Sequence, residues 1–107
     1  MTVQRIGVYY KLKDKSMIEE YKRRHDEIWP EVKQALYDAG YRNYSIWNYE
    51  EKLFGYFEVE DLEKANAIVA ASPRYAEWRD YMEEIIAIDE NGQKEYFMDL
   101  CFLHDPK

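Results

Sequence analysis

From Val3 to Leu12 apolar and polar positions alternate, with Ile6, Val8, Tyr10 and Leu12 on one side and Arg5, Gly7, Tyr9 and Lys11 on the other. A period of two is that of a half-buried strand, so this stretch is expected to begin a sheet. From about Ser16 the spacing changes to threes and fours through Ile18, Tyr21, His25, Ile28, Val32, Ala35, Leu36 and Ala39, and Gly40 follows as a stop. That pattern predicts a long helix with one defect. Pro30 has no amide hydrogen and its ring clashes one turn back, so the helix should kink or restart near Ile28-Trp29-Pro30, leaving loosened backbone just after His25.

Tyr41 to Tyr49 and Leu53 to Val59 are β-rich runs close enough to pair as a hairpin across Glu50-Glu51-Lys52. Asp61 reads as the cap of a helix whose face carries Leu62, Ala65, Ile68 and Val69. Ser72-Pro73 opens another, bearing Tyr75, Trp78, Met82, Ile85 and Ile86. After the Asn91-Gly92 turn, Glu95 to Leu103 is expected to form a last strand. The order is βαββαβ with the second helical segment split in two, an α+β ferredoxin-like sandwich in one domain spanning residues 1–107. Helices are available for one sheet face only, and the economical cover for the other is a second copy's sheet, so a homodimer is expected.

Composition narrows the function. At 107 residues there is no room for two lobes and a cleft between them, so any site lies inside one small fold or at a subunit interface. A net charge of −7 repels phosphate backbones and anionic lipid, which argues against nucleic acid and membrane surfaces as partners. One cysteine, Cys101, cannot close an internal disulfide; in an apolar strand it is expected to serve as a small hydrophobe. With no signal-peptide pattern and no long apolar run, a cytoplasmic protein is expected. Eighteen aromatic residues, eleven of them tyrosine, exceed what so small a core needs. They suit a binding surface, and equally an aromatic core with a dimer interface.

Two histidines and no Cys-x-x-Cys or His-Glu-x-x-His spacing leave no metal site to expect, and four isolated glycines make no phosphate loop. No cofactor is expected. His25 remains. It lies one turn after Tyr21, so imidazole and phenol can converge on one spot. The Pro30 break lies beside it, and Asp26 and Glu27 are expected to raise its pKa toward neutrality, where a histidine serves as a general acid or base. A histidine on a helix face is more often a packing residue; Tyr44, sharing a strand face with Ile46, also fits a core position, and Trp78, on the Met82 stripe, also fits packing of its helix on the sheet.

The segments Tyr21-Lys-Arg-Arg-His25-Asp-Glu-Ile-Trp29-Pro30-Glu31, Gly40-Tyr41-Arg42-Asn43-Tyr44-Ser45-Ile46 and Trp78-Arg79-Asp80-Tyr81-Met82 together resemble the L-rhamnose mutarotase family in order and spacing. The resemblance implies a homodimer pairing as a dimeric α+β barrel, which interconverts α and β pyranose anomers of a 6-deoxy sugar without a cofactor. It also implies that His25 is the proton donor and that Tyr21, Tyr44 and Trp78 contact the monosaccharide. One position departs. Where the family usually has a second tryptophan after the one matching Trp78, this chain has Arg79, a charged donor and a further candidate substrate contact. That exchange predicts a weaker preference for L-rhamnose and activity on another sugar such as L-fucose. A non-catalytic sugar-binding module, which needs the tyrosines but not His25, and a cofactor-free monooxygenase, which needs a larger and more uniformly apolar cavity, are the other readings of the same fold.

Overall fold

The computed structural model describes residues 3–104. The alternating stretches form four strands, β1 (Gln4–Lys11), β2 (Arg42–Tyr49), β3 (Lys52–Val59) and β4 (Glu95–Met98), in one antiparallel sheet of order β2-β3-β1-β4. The helices are α1 (Ile18–Asp26), α2 (Pro30–Asp38), α3 (Leu62–Ala70) and α4 (Pro73–Glu83). This is the expected ferredoxin-like arrangement. A single 3₁₀ turn, Lys15–Met17, leads into α1, with Asp14 accepting from the Ser16 amide at 2.9 Å.

The long helical pattern is two helices. Trp29 takes an extended conformation, as the residue before a proline tends to, and Pro30 occupies the first position of α2, where its missing N–H would have had no partner. The caps at the other end hold: Asp61 accepts from the Lys64 amide at 3.1 Å and Ser72 from the Tyr75 amide at 3.2 Å. Strand β3 shows the sheet's two-sidedness most clearly, because Leu53, Gly55, Phe57 and Val59 are buried while the residues between them are only half-buried. Leu12, Leu53, Val32, Trp78 and Met82 form the centre of one core cluster, and Val8, Phe57, Val59 and Ala65 a second.

Two expectations fail at the C-terminal end. The last strand stops at Met98 instead of reaching Leu103, and Cys101 lies exposed outside any strand. The alternation there is real, but the chain offers nothing to bury its apolar positions: Leu100, Phe102 and Leu103 remain 64%, 79% and 46% exposed. No helix among the described residues is long and apolar enough to cross a membrane.

Candidate active site

Helix α1 places Tyr21 and His25 on one face, with ring centroids 4.4 Å apart. The Nδ1 of His25 is 3.1 Å from the backbone carbonyl oxygen of Tyr21. A carbonyl can only accept, so Nδ1 carries the hydrogen and Nε2 is left with a lone pair in the neutral ring. Burial lowers the His25 pKa below the ordinary 6.5, outweighing the hydrogen bond to Tyr21 and the charge of Asp26, both of which raise it. This reverses the expectation that flanking acids raise it. Desolvation outweighs one charge beside the ring, and Glu27 is engaged by Arg23 at 3.2 Å.

Around this pair stand several phenols. The hydroxyls of Tyr10 and Tyr21 are 2.5 Å apart. Burial pushes Tyr10 and Tyr21 far above their usual 10, Tyr41 up to about 12, and Tyr44 and Tyr75 upward as well. At neutral pH these groups are uncharged hydroxyls that donate and accept hydrogen bonds. A β-bulge gathers two of them. Tyr41 and Tyr44 are three apart, which regular alternation would put on opposite faces. Between Arg42 and Ser45, however, the register with β3 shifts, and Asn43 adopts a positive φ of 54°. Both rings therefore pack on Phe57, at 4.2 and 5.5 Å. Tyr44 is 44% exposed as a residue, yet desolvation at its hydroxyl is the first cause of its raised pKa.

Helix α4 contributes Trp78, which meets His25 edge-on at 5.5 Å. The Pro30 break turns Trp29 against Trp78 at 5.4 Å and onto Tyr81 at 5.7 Å. Arg24 fixes α1 to α4. Buried in the interface, it donates to Glu20 at 2.6 Å, to the Tyr81 carbonyl at 2.6 Å and to Glu84 at 3.0 Å, and its guanidinium lies 3.9 Å from the centre of the Tyr81 ring.

Tyr21, His25, Tyr44, Trp78 and Arg79, the five residues singled out in the sequence, all line one cavity of about 220 Å³. Tyr10, Tyr41, Tyr75 and Glu95 line it too and were not anticipated. The inward phase of the first strand marks Tyr10, whereas Tyr41 depends on the bulge and Glu95 on where β4 pairs. A second cavity of about 600 Å³ shares Tyr21, His25, Tyr44, Tyr75 and Trp78 with the first and continues over apolar side chains such as Ile28, Leu36 and Ile46. Among the described residues, no group of three or more His, Cys, Asp or Glu is placed to hold a metal ion.

A family model described as L-rhamnose mutarotase matches residues 5–102. The chain belongs to the L-rhamnose mutarotase family. The L-rhamnose mutarotase of Tolumonas auensis is 48% identical over 69 residues, which is 63% of this chain and 65% of that protein, so the match spans just under two thirds of the relative's length. The crystal structure of an L-rhamnose mutarotase from Formosa agariphila superposes with a TM-score of 0.78 at 28% identity, covering 95% of this chain and 99% of the other. A dimeric ferredoxin-like protein from an uncultured marine organism, 14% identical, shares the fold with a TM-score of 0.61 over 98% of this chain and 95% of its own. The three segments that resemble the L-rhamnose mutarotase family all fall within the matched residues, and each sends at least one side chain into the 220 Å³ cavity.

Proposed function

We propose that this protein is a cytoplasmic, homodimeric L-rhamnose mutarotase, exchanging the α and β pyranose anomers through the open-chain aldehyde with His25 as the proton carrier. The observation that supports this best is the half-buried His25 imidazole, its Nδ1 held by the Tyr21 carbonyl and its Nε2 in no hydrogen bond among the described residues, in a cavity walled by phenols and Trp78. In this reading Nε2 takes the proton of the anomeric hydroxyl. The C1–O5 bond then breaks as the C1–O1 bond becomes a carbonyl, and the imidazolium gives the same proton to O5. Rotation about C1–C2 and the reverse steps close the ring on the other carbonyl face, so His25 ends as it began.

His25 thus donates to the ring oxygen, as the family resemblance implies, but starts as a base. One positioned acid–base group of this kind contributes about 10²–10⁴-fold. Tyr21 and Tyr44 hydrogen-bond sugar hydroxyls, and the Trp78 ring covers C–H and methyl surface. The abundance of hydroxyls favours a polyol over the polycyclic phenol of a monooxygenase, and an imidazole in the cavity wall can move a proton as well as bind a hydroxyl, which is more than a pure binding module needs. Arg79 on the cavity wall supports a second sugar, such as L-fucose, beside L-rhamnose.

The homodimer is supported by the sheet face away from the helices. The register aligns Trp47, Phe54, Tyr9 and Tyr96 as a single aromatic rung across all four strands. Trp47 is 69% exposed. A second copy would bury this rung, and the exposed apolar side chains after Met98 add to the surface available to it. Saturation-transfer NMR between the anomeric protons of L-rhamnose and of L-fucose tests activity and sugar together. Exchange faster than the spontaneous rate is the expected result.

A further inference from the structure

We propose that Arg79 and Glu95 act together as a reader of two adjacent sugar hydroxyls at the end of the ring remote from the anomeric carbon. The inference rests on the mutarotase reading of His25. The two cavities meet at His25, Tyr21, Tyr44, Tyr75 and Trp78, so the reacting end of a sugar belongs at that junction. Charged side chains other than His25 line the smaller cavity beyond it: Arg79 and Glu83 from α4, and Lys94 and Glu95 from the segment entering and beginning β4. Lys94 and Glu83 neutralise each other in a direct ion pair. Among the described residues, Arg79 and Glu95 take part in none of the ion pairs, and so are open to a ligand.

The fold explains how they come to face one space. Glu95 pairs in register with Tyr10, so its side chain projects on the helix side of the sheet beside that phenol. Arg79 follows Trp78 on α4, about 100° further around the helix, at the cavity's edge. Both charges reach the same two phenols in opposite directions: Glu95 raises the pKa of Tyr41 and Tyr75 while Arg79 lowers it. A carboxylate only accepts hydrogen bonds and a guanidinium only donates them, whereas a hydroxyl does both. Two neighbouring hydroxyls therefore satisfy the pair at once, one giving its proton to Glu95 and the next receiving from Arg79. Across a pyranose ring from C1 and O5 stand C4 and C3. The substrate class is then an aldose with both of these hydroxyls free, and an apolar group in their place would strip water from two charges without replacing it.

The test is anomer exchange of L-rhamnose and its 3-deoxy and 4-deoxy analogues by the full-length protein and by the variants Glu95→Gln and Arg79→Met. Both positions are exposed, and circular dichroism checks that the variants fold. The parent should process each deoxy analogue about tenfold less efficiently than L-rhamnose, the order of one charge-assisted hydrogen bond in a partly wet site. Each variant should lose L-rhamnose efficiency by a similar factor and handle one deoxy analogue nearly as well as L-rhamnose. Discrimination unchanged by either substitution would overturn the pairing while leaving the mutarotase reading intact. A parent protein that exchanged none of the sugars would instead remove the mutarotase reading, and this proposal with it.

Discussion

The Nδ1 of His25 hydrogen-bonds the Tyr21 carbonyl one turn earlier in α1, at 3.1 Å. That single contact fixes the tautomer, and burial fixes the charge: the imidazole is neutral at pH 7 with its lone pair at Nε2. If this form starts the reaction, kcat/KM for anomer exchange falls as the pH drops through the lowered His25 pKa, at a more acidic midpoint than the 6.5 of an ordinary histidine. Stability follows the same sign. The unfolded chain's imidazole takes its proton at about 6.5 while the folded one resists, so the His25 contribution is complete above 6.5 and is lost as pH falls through the lower folded value. Denaturant midpoints at pH 7.5 and 5.5 for the parent and His25→Asn check this; the variant should show the smaller difference.

Arg24 is the residue that holds the His25 helix to the Trp78 helix, through the Tyr81 carbonyl and Glu84. Replacing it with Met should cost about 2 kcal/mol, because the Tyr81 carbonyl loses a charged donor while both glutamates can turn to water. Urea denaturation measures that loss. Turnover should also fall in the folded Arg24→Met protein, since the imidazole is no longer held squarely against Trp78.

The bulge at Asn43 gives a test with an internal control. A β-branched residue at φ 54° is strained by about 1–2 kcal/mol, whereas glycine accepts that conformation freely. Asn43→Val should therefore destabilise the fold and weaken sugar binding by displacing Tyr41 and Tyr44. Asn43→Gly should stay within about 0.5 kcal/mol of the parent, losing only the exposed bond to Glu58.

Assembly is tested on the other face of the sheet. Sedimentation should report about 26 kDa, twice the 13.1 kDa chain. Phe54→Glu, which puts a charge in the middle of the aromatic rung, should shift the protein to monomer while leaving its secondary structure in place.

Much of this architecture is legible in the sequence because it is set by local rules. The period-two runs, the Asp61 and Ser72 caps and the Pro30 break each act within one turn or one strand. What escapes depends on distant partners. The alternation after Met98 reads as strand, yet nothing within the chain covers Leu100 or Phe102. Tyr41 joins the cavity only because an extra residue at Asn43 flips the strand's phase, and no hydropathy pattern announces a bulge. The direction of the His25 pKa escapes for a related reason. Asp26 is visible beside it in the sequence, but the desolvation that outweighs Asp26 comes from the packing of other elements around the ring. Glu95 is a surface residue by composition and a cavity residue by register with Tyr10.

The central claim is that His25 carries the proton between the anomeric and ring oxygens. Saturation transfer between the α and β anomeric protons of L-rhamnose, compared for the parent and a folded His25→Asn variant at pH 7, tests it most directly. The parent should accelerate exchange over the uncatalysed rate, and the variant should lose about 10²-fold or more of that acceleration while its circular dichroism is unchanged. A folded variant that exchanged anomers at the parent's rate would contradict the account.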